Sequence, residues 1–181
     1  MKIKSTSIED VFLIKPDIHS DSRGYFYESF NEKEFSSLIG QSFMPVQDNQ
    51  SFSEFGTLRG IHFQINPMAQ AKLIRVVNGE IYDVAVDLRK DSDTYCEWVG
   101  EKLSAADHNQ LFIPEGFGHA FLVLSENATI IYKVNNYYSP KHELSIRYDD
   151  PKINIKWPSV KYKLSEKDSS ADFIHDHVSY F

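Results

Sequence analysis

Residues 72–88, KLIRVVNGEIYDVAVDL, set the reading of the whole chain. Two apolar runs, each broken by polar residues, flank Asn78-Gly79. That dipeptide is the preferred centre of a type I′ turn, so the stretch predicts two strands joined as a hairpin. Further on, AFLVLS (120–125) and TIIYKVNNYY (129–138) predict a second strand pair, joined through Glu126 and Asn127. Shorter strands fit CEWVGEKLS (96–104) and NQLFIP (109–114). One segment reads as a helix, NEKEFSSLIG (31–40), with Gly40 as its stop. Many short strands with tight turns and one short helix predict a mainly β fold, a sandwich or barrel. The last third contains DDPKINIKWP (149–158) and LSEKDSSADF (164–173). These read as loops and short helical turns packed on the barrel, and residues 1–181 are expected to form a single domain.

A chain of 181 residues is long enough to bury a real core. Thirteen Phe, ten Tyr and two Trp lean the composition toward strands. The formal net charge of −7 argues against a nucleic-acid binder, though it does not describe the charge of an individual cleft. Cys96 is the single cysteine, so no internal disulfide can form, which suits a reducing compartment. The N-terminal MKIKSTSIEDVFLIKPD has no long apolar stretch before its acids, reading as neither signal peptide nor membrane span. The expectation is a cytoplasmic protein.

The chemistry centres on His62, in GTLRGIHFQ (56–64). Gly56 followed by His62 matches the start of the first metal motif of cupin barrels, but the second histidine of that motif is Gln64 here. Pro114, Gly116 and His119 match the start of the second motif, which normally ends with an asparagine where this chain has Val123. Two histidines without their partners make a poor zinc or iron site. The sequence thus resembles a cupin whose metal site has been lost or converted. A histidine freed from metal duty is a candidate general base, because imidazole titrates near physiological pH.

RGYFYESF, VQDNQS, LRGIHFQ, AQAKLIRVV, GEIYDVAVDLR, FIPEGFGHAF, YKVNNYY and LSEKD occur in this order. In that order they resemble the dTDP-4-dehydrorhamnose 3,5-epimerases, over about residues 8 to 170. The resemblance implies a cupin-type antiparallel β-barrel, or jelly roll, with a few short helices and no metal or other cofactor. It implies His62 as general base, Asp168 as the carboxylate that orients it, Tyr132 as acid and Lys72 as the cation near the developing enolate. Arg23, Glu28, Gln47, Asp48, Asn49, Arg59, His119, Glu143 and Lys167 match substrate-contacting positions, and Tyr138 matches the aromatic that stacks on the pyrimidine. The implied partner is a dTDP-linked 4-keto-sugar, and the implied assembly is a homodimer with strands shared between subunits. Taken one at a time, Tyr132 reads as a packing tyrosine, Lys72 as a solvated strand charge and Asp168 as an exposed cap; only their joint order raises them above that. Ser145 stands where a glycine is usual, two residues after Glu143.

These residue types suit the implied chemistry. A ketone at C4 acidifies the hydrogens at C3 and C5, and removal of either gives an enolate that needs a cation or donor. Inversion needs a proton returned from the opposite face, hence a base and an acid on opposite sides of the ring. Arg23 and Arg59 suit bidentate contacts to a diphosphate, and Arg59 shares a face with His62 only if β-structure bends near Gly60. The rival readings are a 3- or 5-epimerase, a 3,4-ketoisomerase, a metal-dependent cupin oxygenase and a non-catalytic sugar-binding cupin. His175-Asp176-His177 has the look of a metal motif and carries little weight near the terminus.

Overall fold

A computed structural model describes residues 1–175 and 178–181; Asp176 and His177 of the terminal His-Asp-His run lie outside the described residues. In chain order the elements are β1 (Lys2–Ser5), β2 (Phe12–Lys15), β3 (His19–Asp21), β4 (Gly24–Phe26), α1 (Glu32–Ile39), β5 (Gln47–Glu54), β6 (Leu58–Gln64), β7 (Lys72–Asn78) and β8 (Glu80–Asp87). They continue with β9 (Trp98–Ser104), β10 (Gln110–Ile113), β11 (Phe117–Val123), β12 (Asn127–Val134), β13 (Glu143–Ser145) and α2 (Glu166–Ser169). The fold is mainly β, as the sequence implies. The helix at 32–39 forms where expected: Asn31 caps it by accepting from the Glu34 amide at 3.2 Å, and Gly40 ends it in a left-handed conformation.

Two sheets face each other. One runs β1-β2-β10-β7-β12-β5 and the other β13-β6-β11-β8-β9, with every pairing antiparallel. The expected barrel is therefore a two-sheet jelly roll, its hydrogen bonding divided between separate sheets. A core including Ile74, Val76, Ile81, Ala85, Leu111, Phe121 and Ile130 fills the space between them. The outer face of the five-stranded sheet is covered by the C-terminal segment through Ile146, Ile153, Ile155 and Trp157. Helix α1 covers the other sheet through Phe35 and Ile39. Cover on both faces explains why β11, FGHAFLV, is buried at all seven positions.

Both expected hairpins are replaced by crossovers. β7 pairs with β10 and β12, whereas β8 pairs with β11 and β9. Asn78-Gly79 turns the chain from one sheet to the other. The same holds for β11 and β12, which sit in different sheets. The physical reason is long-range pairing. A hairpin would satisfy one edge of each strand, while crossing over gives β7 and β8 partners on both edges and aims Ile74, Val76, Ile81 and Ala85 at one core from opposite sides. Gly79 suits the crossing, because its φ is +80° and a Cβ there would collide with the Asn127 carbonyl oxygen.

Candidate active site

One cavity of about 310 Å³ opens between the sheets and collects most of the residues expected to act. His62, Arg59 and Gln64 enter it from β6, His119 and Phe121 from β11, and Glu143 from β13. Gln47, Asn49 and Ser51 of β5, Lys72 of β7 and Tyr132 of β12 enter from the opposite sheet. His62 and Tyr132 thus stand on opposite walls.

Arg59 reaches the cavity through the bend its spacing requires. His119 pairs with His62 and Phe121 with Arg59, so three steps along β6 match two along β11. The extra residue is a β-bulge that returns Arg59 to the inner face. Gly60 makes it possible: its φ is +117°, and a Cβ there would lie 2.5 Å from Ala120 Cβ and the His119 carbonyl oxygen. Arg59 donates from Nε to Ser53 Oγ at 3.1 Å.

His62 Nε2 meets Asp168 Oδ1 at 2.5 Å. Helix α2 places that carboxylate through its N-cap, Ser165, in Ser165-Glu166-Lys167-Asp168. Ser165 Oγ accepts from the Asp168 amide at 3.0 Å and donates to Asp168 Oδ2 at 2.8 Å. Asp168 is 3% exposed, so it is buried rather than an exposed cap. Burial pushes its carboxyl up, but the bonds from His62 and Ser165 and the backbone at Gly60 outweigh that and hold it below its ordinary value. The carboxylate therefore stays ionised against the imidazole.

Lys72 is buried, and desolvation brings its ammonium down to about 8, opposed by the charges of Asp83 and Glu143. It stays largely charged at neutral pH. Its Nζ lies 3.4 Å from the His62 carbonyl oxygen, close to the proposed base. Burial pushes the Tyr132 phenol up, Arg59 acting the other way, so Tyr132 holds its proton at neutral pH.

A polar rim completes the cavity. The Tyr138 hydroxyl donates to Glu143 Oε2 at 2.9 Å, and Lys167 Nζ lies 2.6 Å from the same oxygen. Gln47 Oε1 accepts from the Tyr138 amide at 3.0 Å, and Gln47 Nε2 donates to Asn49 Oδ1 at 2.8 Å. Three expected residues lie away from their own cavity. Asp48 points outward on β5 and pairs with Lys133 at 3.0 Å. Arg23 sits in the exposed β3–β4 ribbon, beside Asp21, and Glu28 follows that ribbon, exposed. Ser51 and Asp83 were not singled out from sequence. Ser51 was accessible to alternation, since it shares a strand face with Gln47 and Asn49.

The donor set does not fit a cupin metal. His62 Nε2 and His119 Nε2 each face a carboxylate, the latter Asp83 Oδ1 at 2.7 Å. Gln64, where the motif needs histidine, spends its amide on the adjoining loops. Its Nε2 donates to the carbonyls of Met68 at 2.6 Å and Tyr137 at 3.1 Å, and its Oε1 accepts from the Ser139 amide at 2.6 Å.

The jelly roll, with the His62–Asp168 pair and Tyr132 facing one cavity, resembles the cupin-type epimerases. A profile of the dTDP-4-dehydrorhamnose 3,5-epimerase family matches residues 5–176. The dTDP-4-dehydrorhamnose 3,5-epimerase of Shigella flexneri is 50% identical over 168 residues, 93% of each chain. The crystal structure of the enzyme of that name from Elizabethkingia anophelis superposes with a TM-score of 0.93 at 44% identity, covering 98% of both chains. A 3,5-epimerase from Legionella pneumophila, solved in complex with dTDP-4-keto-L-rhamnose, gives a TM-score of 0.92 at 45% identity, covering 95% of this chain and 92% of that one. The chain belongs to the dTDP-4-dehydrorhamnose 3,5-epimerase family.

Proposed function

We propose that this protein inverts C3 and C5 of a dTDP-linked 4-keto-6-deoxyhexose, converting dTDP-4-dehydro-6-deoxyglucose to dTDP-4-dehydrorhamnose. The observation that carries the reading is the His62–Asp168 pair on one wall of a cavity whose other wall holds Tyr132. His62 takes the proton from carbon next to the ketone, and the C–H electron pair becomes a C=C bond as charge moves onto the C4 oxygen. Asp168 stabilises the imidazolium that forms. The Lys72 ammonium stabilises the enolate oxygen. Tyr132 delivers its proton to the opposite face of the same carbon, and the double bond collapses back to the ketone. His62 and Tyr132 then re-equilibrate their protons with solvent, and the cycle repeats at the second centre.

Arg59 holds the diphosphate, and the rim of Gln47, Asn49, His119, Tyr138, Glu143 and Lys167 orients sugar and base. Arg23 and Glu28 fit this reading in a homodimer, where the exposed ribbon of one copy extends to the cavity of the other, and Asp48, on β5, would contact substrate from the outer rim. Tyr25 and Phe26 on that ribbon are 62% and 72% exposed, an apolar face suited to cover by a partner. In this reading all 181 residues form one domain. The enzyme works in the cytoplasm, supplying deoxyhexose for polysaccharide synthesis; among the described residues no helix is long and apolar enough to cross a membrane.

The test is turnover of dTDP-4-keto-6-deoxyglucose followed by proton NMR. Appearance of the doubly inverted 4-keto-sugar supports the reading. Inversion at one centre only reduces it to a monoepimerase, and a 3-keto product replaces it with ketoisomerisation.

A further inference from the structure

Two histidines stand side by side on the inner face of the five-stranded sheet, and each has its own carboxylate. His62 and His119 are direct cross-strand partners. Asp168 closes on His62 from α2, while on the other flank Asp83 of β8 meets His119 Nε2 at 2.7 Å. The mechanism above leaves Asp83 without a task. We propose that Asp83 is a positioning residue of this site, fixing His119 in one tautomer on the wall it shares with the proposed base. The inference rests on the epimerase reading and deepens it.

The placement is specific. Asp83 pairs with Phe121 across β8 and β11, and His119 pairs with Ala85, so carboxylate and imidazole are diagonal neighbours on one face. That face reads Ile81, Asp83, Ala85, with both flanking residues in the core. An acid in the middle of an inward apolar stripe is costly unless something needs its charge. Asp83 is fully buried, and its Oδ2 has no hydrogen-bond partner among the described residues. An aliphatic side chain would fill the same place without that penalty. The buried cation nearby is Lys72, on which Asp83 acts more strongly than Glu143 does. Lys72 shares its cavity with Arg59, His62 and His119, and Glu143 is the carboxylate lining it, with Asp83 and Asp168 behind the two histidines.

Two consequences follow for the chemistry. With Asp83 Oδ1 as the acceptor in the 2.7 Å contact, the His119 ring hydrogen sits on Nε2 and Nδ1 is the acceptor nitrogen. Burial lowers the tendency of His119 to take a second proton, the charge of Asp83 acting against it, and the ring stays neutral near pH 7. His119 therefore accepts a sugar hydroxyl hydrogen and cannot donate to the enolate. Stabilisation of the enolate falls to Lys72.

The experiment compares wild type with Asp83→Asn, which keeps the shape and removes the charge. Melting temperature and dTDP affinity report folding and an intact nucleotide site. The expected result is a kcat lower by about tenfold or more, a KM within about twofold, and a basic limb of the kcat/KM profile displaced to lower pH, because Lys72 loses an anion that favours its charged form. Conversely, a folded Asp83→Asn enzyme with wild-type kcat and an unmoved basic limb overturns the proposal. Nitrogen-15 NMR of the histidine-labelled wild-type protein tests it without any variant. Nε2–H on His119 at neutral pH is expected, and Nδ1–H overturns it. Wild-type turnover of dTDP-4-keto-6-deoxyglucose is the control. An inert wild type refutes the epimerase reading itself, whereas an active wild type with an indifferent Asp83→Asn variant refutes only the role of Asp83.

Discussion

Replacing Asp168 by Asn isolates the part that charge plays in the base. The substitution preserves volume in a position only 3% exposed and leaves a hydrogen-bonding group 2.5 Å from His62 Nε2. What it removes is the anion facing the imidazolium that forms when His62 takes a proton. A hydrogen bond to a charged group contributes about 1.5–3 kcal/mol and a neutral one about 0.5–1.5 kcal/mol. The difference is about 1–2 kcal/mol, and every 1.36 kcal/mol is tenfold in rate, giving roughly a 5- to 30-fold loss. Bare Coulomb attraction gives more, about 4 kcal/mol for charges 4 Å apart at an effective dielectric of 20. The His62 side chain is 29% exposed, so solvent trims that figure and a loss of about 100-fold is the upper end. The substitution weakens an interaction with the imidazolium formed as His62 takes the substrate proton, so the loss belongs in kcat, with KM within about twofold. Steady-state kinetics with dTDP-4-keto-6-deoxyglucose, after a melting curve establishes folding, reads both. A folded variant with wild-type kcat, or one whose whole loss lies in KM, refutes the argument.

Tyr132→Phe removes only a hydroxyl from the wall opposite His62. In deuterated water it should exchange hydrogen next to the ketone while forming little inverted product, and full-speed inversion would assign the acid to another group or a water. The kcat/KM profile of the wild type should fall as pH rises through about 8, because Lys72 is charged below that value and neutral above it. A profile flat to pH 10 would remove Lys72 from the charge-stabilising role. Gly60→Ala puts a Cβ 2.5 Å from Ala120 Cβ at a φ of +117° and should cost at least about 2 kcal/mol in chemical denaturation. An unchanged unfolding midpoint would mean that the bulge carrying Arg59 is not held by glycine.

Much of the architecture was legible because strand periodicity and cap chemistry are local. Asn31 and Gly40 bound their helix as read, and Ser165 caps the short helix that carries Asp168. The topology was not legible from turn chemistry. Asn78-Gly79 announces a reversal, but which sheet the next strand joins depends on partners more than thirty residues away, such as β11 and β12. The His62–Asp168 contact, 106 residues apart in sequence, came from motif order and not from any local signal. Arg23, Glu28 and Asp48 show the limit of that route, since matching a motif transfers a residue's identity and not its place relative to the cavity. Asp83 left a faint trace as one acid at an inward position of the apolar stretch IYDVAVDL, but burial on both faces of β8 hid the alternation that would have given its direction.

The central claim is that His62 removes the proton on which the whole conversion depends. The direct measurement is deuterium wash-in from solvent into dTDP-4-keto-6-deoxyglucose, comparing wild type with His62→Asn by NMR. The account predicts label at C3 and C5 of the inverted product with wild type. For folded His62→Asn that still binds dTDP, it predicts exchange slower by about 10²–10⁴-fold. Wash-in by His62→Asn at close to the wild-type rate would contradict it, and the base would have to be sought elsewhere in the cavity.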